Sequence, residues 1–199
     1  LLYTFIDFET TGLDHERDQI IEVGMVKSDL TDENVFMKQF FVKLEDGRTL
    51  SDFIQQHTGL SDSDLIGGLS NKEAEQEIRE FINGTTIVAH NASFDLGFIK
   101  NIEVPRFYCT RSICKVIEPD KKANLEFICK RYDIPLDREK GHRAVDDAFA
   151  CMKVFDQYRR MLGGYNGLRM FMNKMVGSPD RPLTYIPSNA TVLNFSPTT

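Results

Sequence analysis

Residues 4–12 read TFIDFETTG, and this stretch decides the fold. Thr4, Ile6 and Phe8 alternate with Phe5, Asp7 and Glu9, and the aromatic and β-branched content favours a strand. Asp7 and Glu9 then share one face about 6.5 Å apart, within reach of two cations held roughly 3.5–4 Å from each other. Ordinary solvent-facing acids on a half-buried strand fit the same segment. Directly after Glu9, Thr10-Thr11-Gly12 offers a glycine-permitted turn whose backbone N–H groups suit a terminal ribose or phosphate, or simply end the strand.

Outward from this strand, IIEVGMVKSD (20–29) and VFMKQFFVKL (35–44) read as two more strands, joined by LTDEN as a hairpin. From Leu50 to Asn83 the pattern turns helical, with a short segment ending in HTGLSDSDL and then NKEAEQEIREFING, where Asn71 and Gly84 look like start and stop signals. TTIVAH (85–90) is a short buried strand, and NASFDLGFIKN follows as a helix that Asn91 or Ser93 can cap. RFYCT is a last short strand. RSICKVI and ANLEFICKRY are helices, and HRAVDDAFACMKVFDQYRRML (142–162) is a long one stopped by Gly163-Gly164. Three antiparallel strands followed by alternating strands and helices predict an α/β fold with a central mixed sheet flanked by helices. Residues 1–162 form the expected domain. Residues 163–199 form an extension, with NGLRMFMNKMV as one more helix before a tail rich in Pro, Ser, Thr and Asn.

The 199 residues suffice for one well-buried domain. The net charge of −6 is unevenly spread, with 7 basic against 19 acidic residues over 1–99, 11 against 7 over 100–143, and 6 against 4 over 144–199. An acidic surplus argues weakly against non-specific nucleic-acid coating, but a cation site needs it, and bound cations invert the field a phosphate meets. No apolar run approaches the ~20 residues that span a bilayer, and LLYTFID lacks the features of a signal peptide. A soluble, cytoplasmic chain without membrane contact is expected. Cys109, Cys114, Cys129 and Cys151 form no CxxC pair and are expected to be reduced.

Further acids stand at element ends. Asp95 falls in the first turn of its helix, where it faces the strand end or merely complements the helix dipole. On the long helix, Val145, Ala148, Phe149, Met152 and Phe155 form an apolar stripe, and either Asp146 or Asp147 is available as a ligand. Gly141 permits a bend before His142, which by itself also reads as a solvated surface histidine, just as His90 reads as a satisfied core histidine.

Taken together, DFETTGL, IIEVGMV, HTGLS, IVAHNASFDLGFI, NLEFICKRYDI and GHRAVDDAFACMKVF resemble the DnaQ-like 3′-to-5′ exonucleases of the DEDDh group over about residues 3–160. The resemblance implies a ribonuclease H-like fold and hydrolysis of nucleic acid from its 3′ end to nucleoside 5′-monophosphates. It matches Asp7, Glu9, Asp95 and Asp147 to four metal-binding acids and His142 to the general base, the family spacing selecting Asp147 over Asp146. It implies two divalent cations, Mg²⁺ or Mn²⁺, with Asp7 bridging them, Glu9 and Asp147 serving one and Asp95 the other. Thr10, Thr11, Gly12 and Leu13 match the turn that contacts the 3′ nucleotide, and Thr58, Asn91 and Phe94 line the pocket. The chain departs from proofreading relatives in having Thr58-Gly59-Leu60 where many place His-Gly-Ile. Single-stranded or frayed DNA ends in proofreading or repair are the expected substrate, with RNA ends as the alternative and a non-catalytic scaffold as the rival. A DNA polymerase or other subunit docking on residues 163–199 is the expected protein partner.

Overall fold

The alternation in residues 4–12 does form a strand, β1 (Tyr3–Thr10), the middle of five in a computed structural model that describes residues 1–194 other than positions 32, 46 and 140. On one side lie β2 (Ile20–Ser28) and then β3 (Val35–Phe41), each antiparallel to its neighbour. On the other lie β4 (Thr86–Ala89) and β5 (Phe107–Cys109), both parallel to β1. The mixed sheet with three antiparallel strands at its start is thus as the sequence predicts. The hairpin expected at LTDEN joins β2 to β3, with Asp32 outside the described residues.

Helices cover both faces, so β1 is buried on both. Ile6 and Phe8 pack with Val23, Met25, Ile87 and Ala89 against α3 (Asn71–Ile82) and α4 (Ala92–Phe98). Tyr3 and Phe5 pack on the opposite face with Val26, Val88 and Tyr108 against α5 (Thr110–Ile117), α6 (Leu125–Arg131) and α7 (Ala144–Met161). Phe155 of α7 meets Tyr3 and Phe5 edge to face at 5.2 and 5.7 Å. Each such fully buried aromatic contributes about 1.5–3 kcal/mol by transfer from water, which holds α7 flat on the first strand. A third, smaller cluster gathers Ile54 of α1 (Asp52–Thr58) and Leu65 of α2 (Asp62–Leu65) with Ile21, Leu50 and Leu60.

Three local expectations change. The cap of α3 is Ser70, one residue before Asn71, in a reciprocal box with Glu73, whereas Gly84 does adopt positive φ just past the helix. Neither Asn91 nor Ser93 caps α4 through its side chain: Asn91 makes no cap bond and the Ser93 hydroxyl is taken by the C-terminal extension. The helix expected at 166–176 is confined to α8 (Tyr165–Arg169). Asn173 adopts φ +55, and its side chain accepts from the Phe107 amide and donates to the Pro105 carbonyl, so the chain turns into β6 (Lys174–Met175) beside β5.

The extension returns over the domain. β7 (Thr191–Val192) pairs with β6, and Leu168, Phe171, Met175 and Val176 are buried. The Ser93 hydroxyl donates to the Tyr185 carbonyl at 2.8 Å and accepts from the Thr184 and Tyr185 amides at 2.8 and 3.0 Å. All four cysteines are free and buried. Among the described residues, no helix is long and apolar enough to cross a membrane.

Candidate active site

Because residues two apart in a strand share a face, Asp7 and Glu9 continue the row of Tyr3 and Phe5 and point toward α7. Asp7 pairs with Gly24 of β2, and the start of α7 crosses that glycine so closely that a Cβ there would lie 2.1 Å from the Ala144 carbonyl carbon and 2.2 Å from the Val145 nitrogen. Gly24 therefore lets the first turn of α7, with Asp147, come down beside Asp7. The register shifts between Glu9 and Thr10, a bulge after which Thr10 pairs with Ile20 and the chain turns into the Thr11–Leu13 segment. The sequence reading passed over Gly24, although a lone glycine inside an apolar strand signals close approach of another backbone.

Asp147 is buried in α7, facing the sheet, while Asp146 is exposed. Asp95, also buried, stands in the first turn of α4 beyond the end of β4. The four carboxylates sense one another. Burial, then Asp147, Asp95 and Glu9, push Asp7 well above the usual carboxylate range. Glu9 is pushed up to about 8 by burial, Asp147 and Glu22. Burial raises Asp95 to about 8 even though backbone hydrogen bonds from Asp95 and Phe8 oppose the rise.

Two oxygens at this centre lack hydrogen bonds. Asp95 Oδ1 and Asp147 Oδ1 are buried without a hydrogen bond. Arg138 Nη1 lies 2.6 Å from Asp147 Oδ1 as an ion pair, yet without the alignment of a hydrogen bond. Glu9, His142 and Asp147 each offer a ligand atom within 4.8 Å of the others. Mutually repelling buried carboxylates with oxygens left without hydrogen bonds fit hard divalent cations, which take oxygen ligands and supply positive charge.

His142 enters on the loop before α7, its Nδ1 3.3 Å from Asp147 Oδ2. Gly141, at φ +83, passes so near α1 that a Cβ would sit 2.8 Å from the Thr58 carbonyl, and the His142 amide donates to the His57 carbonyl at 2.9 Å. The next residue anchors the loop from the other side. Arg143 Nε and Nη2 donate to Glu22 Oε1 at 3.1 and 2.9 Å, and Gln39 donates to the same oxygen. Glu22 is fully buried opposite Glu9. A charge inside IIEVGMV was the available sign of it; Arg138 and His57 carry no such local sign.

The proposed substrate contacts divide. Thr11 and Gly12 are half-exposed and Leu13 is 70% exposed at the rim, where the turn is held by Thr11 Oγ1 donating to Asp18 Oδ1 at 3.0 Å. Thr10 is buried, its hydroxyl donating to the Gly12 carbonyl. Asn91 and Phe94 are half-buried at the start of α4. Thr58 is fully buried and its hydroxyl is consumed by the Ile54 carbonyl and the Leu60 amide, so it shapes the loop from behind. His90 is a core histidine: it bonds Thr110 Oγ1 and the Ala123 carbonyl, and burial lowers it to about 4.

A mixed sheet carrying an acid cluster at the end of its central strand is the architecture of the ribonuclease H-like nucleases. The structure of E. coli Exonuclease I in complex with a dT13 oligonucleotide matches with a TM-score of 0.67 at 18% identity, covering 79% of this chain and 41% of that one. Exonuclease X in complex with 5′ overhanging duplex DNA matches at 0.66 and 20% identity, covering 82% and 94%. The model of the RNase_T exonuclease family matches residues 4–155, and the chain belongs to this family of DnaQ-like exonucleases. It is 32% identical over 161 residues to a DNA polymerase III PolC-type protein of Clostridium perfringens, covering 76% of this chain and 11% of the relative. It is 28% identical over 187 residues to the DNA polymerase III subunit epsilon of Escherichia coli K12, covering 84% and 74%. The chain thus spans about a tenth of the PolC-type relative's length.

Proposed function

We propose that this chain is a divalent-metal-dependent 3′-to-5′ exonuclease that releases nucleoside 5′-monophosphates from single-stranded or frayed DNA ends. The observation that carries the reading is the convergence of Asp7, Glu9, Asp95 and Asp147, two of them with buried oxygens that have no hydrogen-bond partner. These four would hold two Mg²⁺ or Mn²⁺ ions. Bound there, the ions supply the charge that activates water and offsets charge on the scissile phosphate.

The remaining work falls to the chain. His142 turns Nδ1 toward Asp147, which leaves its other ring nitrogen to take a proton from the attacking water. The Thr11–Leu13 turn seats the terminal nucleotide, with the exposed Leu13 side chain and the Phe94 ring offering apolar faces to a base that has left its stack. Residues 1–162 would carry this chemistry, and residues 163–199 would serve as an extension that docks a polymerase or other subunit, a partner class supported by the polymerase III names among the relatives. Those names also support a cytoplasmic site of action.

Matched DNA and RNA strands, single and 3′-mispaired, test the substrate. We expect faster release of mononucleotides from DNA. Faster release from RNA would move the assignment to an exoribonuclease, since the strands differ in the 2′-OH. No release from either with Mn²⁺ would leave only the scaffold reading.

A further inference from the structure

The ring of His142 does not stand alone. It stacks on His57 with centroids 4.0 Å apart at 22°, and His57 in turn stacks with Phe53 at 5.8 Å and 7°. Phe53 and His57 are four residues apart on α1 and so project from one helix face. The column has a firm base: the Ser51 hydroxyl caps α1 by accepting from the Ile54 amide at 3.3 Å, and Ile54 packs with Ile21, Leu50, Leu60 and Leu65.

His142 needs such a brace. Its side chain is about a third exposed, and its edge is held by the 3.3 Å contact with Asp147. That contact fixes one ring nitrogen but leaves the ring free to rotate about it. A flat group on the face of the ring removes that freedom. The backbone bond from His142 to the His57 carbonyl and the close passage of Gly141 over Thr58 bring the two rings together.

We propose that His57, backed by Phe53, is a positioning residue that sets the ring plane of His142 for proton transfer. The proposal rests on His142 being the base. Among the described residues, the His57 side chain makes no hydrogen bond to the acids or to the proposed nucleotide seat; it acts through His142. What it supplies is a flat ring, and its own titration is not used.

The test uses the full chain and a 3′-labelled single strand, comparing wild type with His57→Ala, His57→Phe, Phe53→Ala and His142→Ala. All four retain the backbone carbonyl at position 57, so only side chains are compared. His57→Ala should lower kcat about tenfold, within the ~100-fold that a 1 Å misplacement can cost, with KM changed less than about twofold. His57→Phe should recover most of that loss, and Phe53→Ala should lose about threefold. Unchanged thermal midpoints separate positioning from unfolding. A His57→Ala enzyme equal to wild type, a loss confined to KM, or a His57→Phe enzyme no better than His57→Ala would each overturn the proposal. Full activity in His142→Ala would instead overturn the base assignment beneath it.

Discussion

Replacing Gly24 by alanine should separate the first turn of α7 from β1, lowering stability and, more steeply, catalysis. An alanine Cβ would sit 2.1 Å from the Ala144 carbonyl carbon and 2.2 Å from the Val145 nitrogen, where ordinary contact begins at 3.4 Å. Relief therefore needs a displacement of about 3.4 − 2.1 = 1.3 Å, and both clashing atoms are backbone. Overpacking of this kind costs about 1–3 kcal/mol, roughly 2–12 °C in a chain of this length. The same shift carries Asp147 and His142 away from Asp7, and ~100-fold is a fair cost for moving catalytic groups by about 1 Å. Gly67→Ala is the control, because nothing lies within 4 Å of a Cβ at Gly67. Urea denaturation and single-strand turnover should show Gly24→Ala folded but weakened and nearly inactive, with Gly67→Ala close to wild type. A Gly24→Ala protein with wild-type midpoint and rate would refute the claim that this approach positions the acids.

Three other outcomes follow from the same contacts. Glu9 and Asp95, both raised to about 8, bind more protons folded than unfolded, so they make metal-free stability fall as pH rises. His90, lowered to about 4, has the opposite sign below 6.5, which leaves pH 6.5–8 as the clean window. The chelated protein should lose thermal midpoint across that window, and Asp95→Asn should flatten the slope; an equal slope in both would contradict the placement of Asp95. Arg138→Gln removes the cation beside Asp147 Oδ1, and calorimetric Mn²⁺ affinity should rise by about three- to tenfold; a fall would show that Arg138 helps to build the site. Ser93→Ala strips the acceptor from the Thr184 and Tyr185 amides and should cost about 1–3 kcal/mol. A wild-type midpoint would show that the extension does not depend on this anchor.

Much of the fold was legible because strand and helix periods follow local burial. Thr4 to Glu9 gave both the strand and the shared face of its two acids, and β4 is as buried as TTIVAH suggests. The long helix was harder. The stripe of Val145, Ala148, Phe149, Met152 and Phe155 did not separate Asp147 from Asp146, whereas α7 lies on the sheet and buries Ala144, Asp147, Ala148, Cys151 and Phe155. That wide buried face exists because Gly24 has no side chain, a fact located 120 residues away. The Asn173 turn likewise depends on its bonds to Phe107 and Pro105. Arg138 beside Asp147 and the stacking of His57 on His142 are contacts between separate segments with no period to betray them.

The central claim is that the cluster of Asp7, Glu9, Asp95 and Asp147 is a metal-dependent centre acting on 3′ ends. Product analysis on one DNA oligonucleotide, labelled in turn at each end, tests it most directly. With Mg²⁺ or Mn²⁺ the account predicts nucleoside 5′-monophosphates shed from the 3′ end, no release after chelation, and loss of turnover in a folded Asp7→Asn variant. Release from the 5′ end, or undiminished turnover by Asp7→Asn, would contradict it.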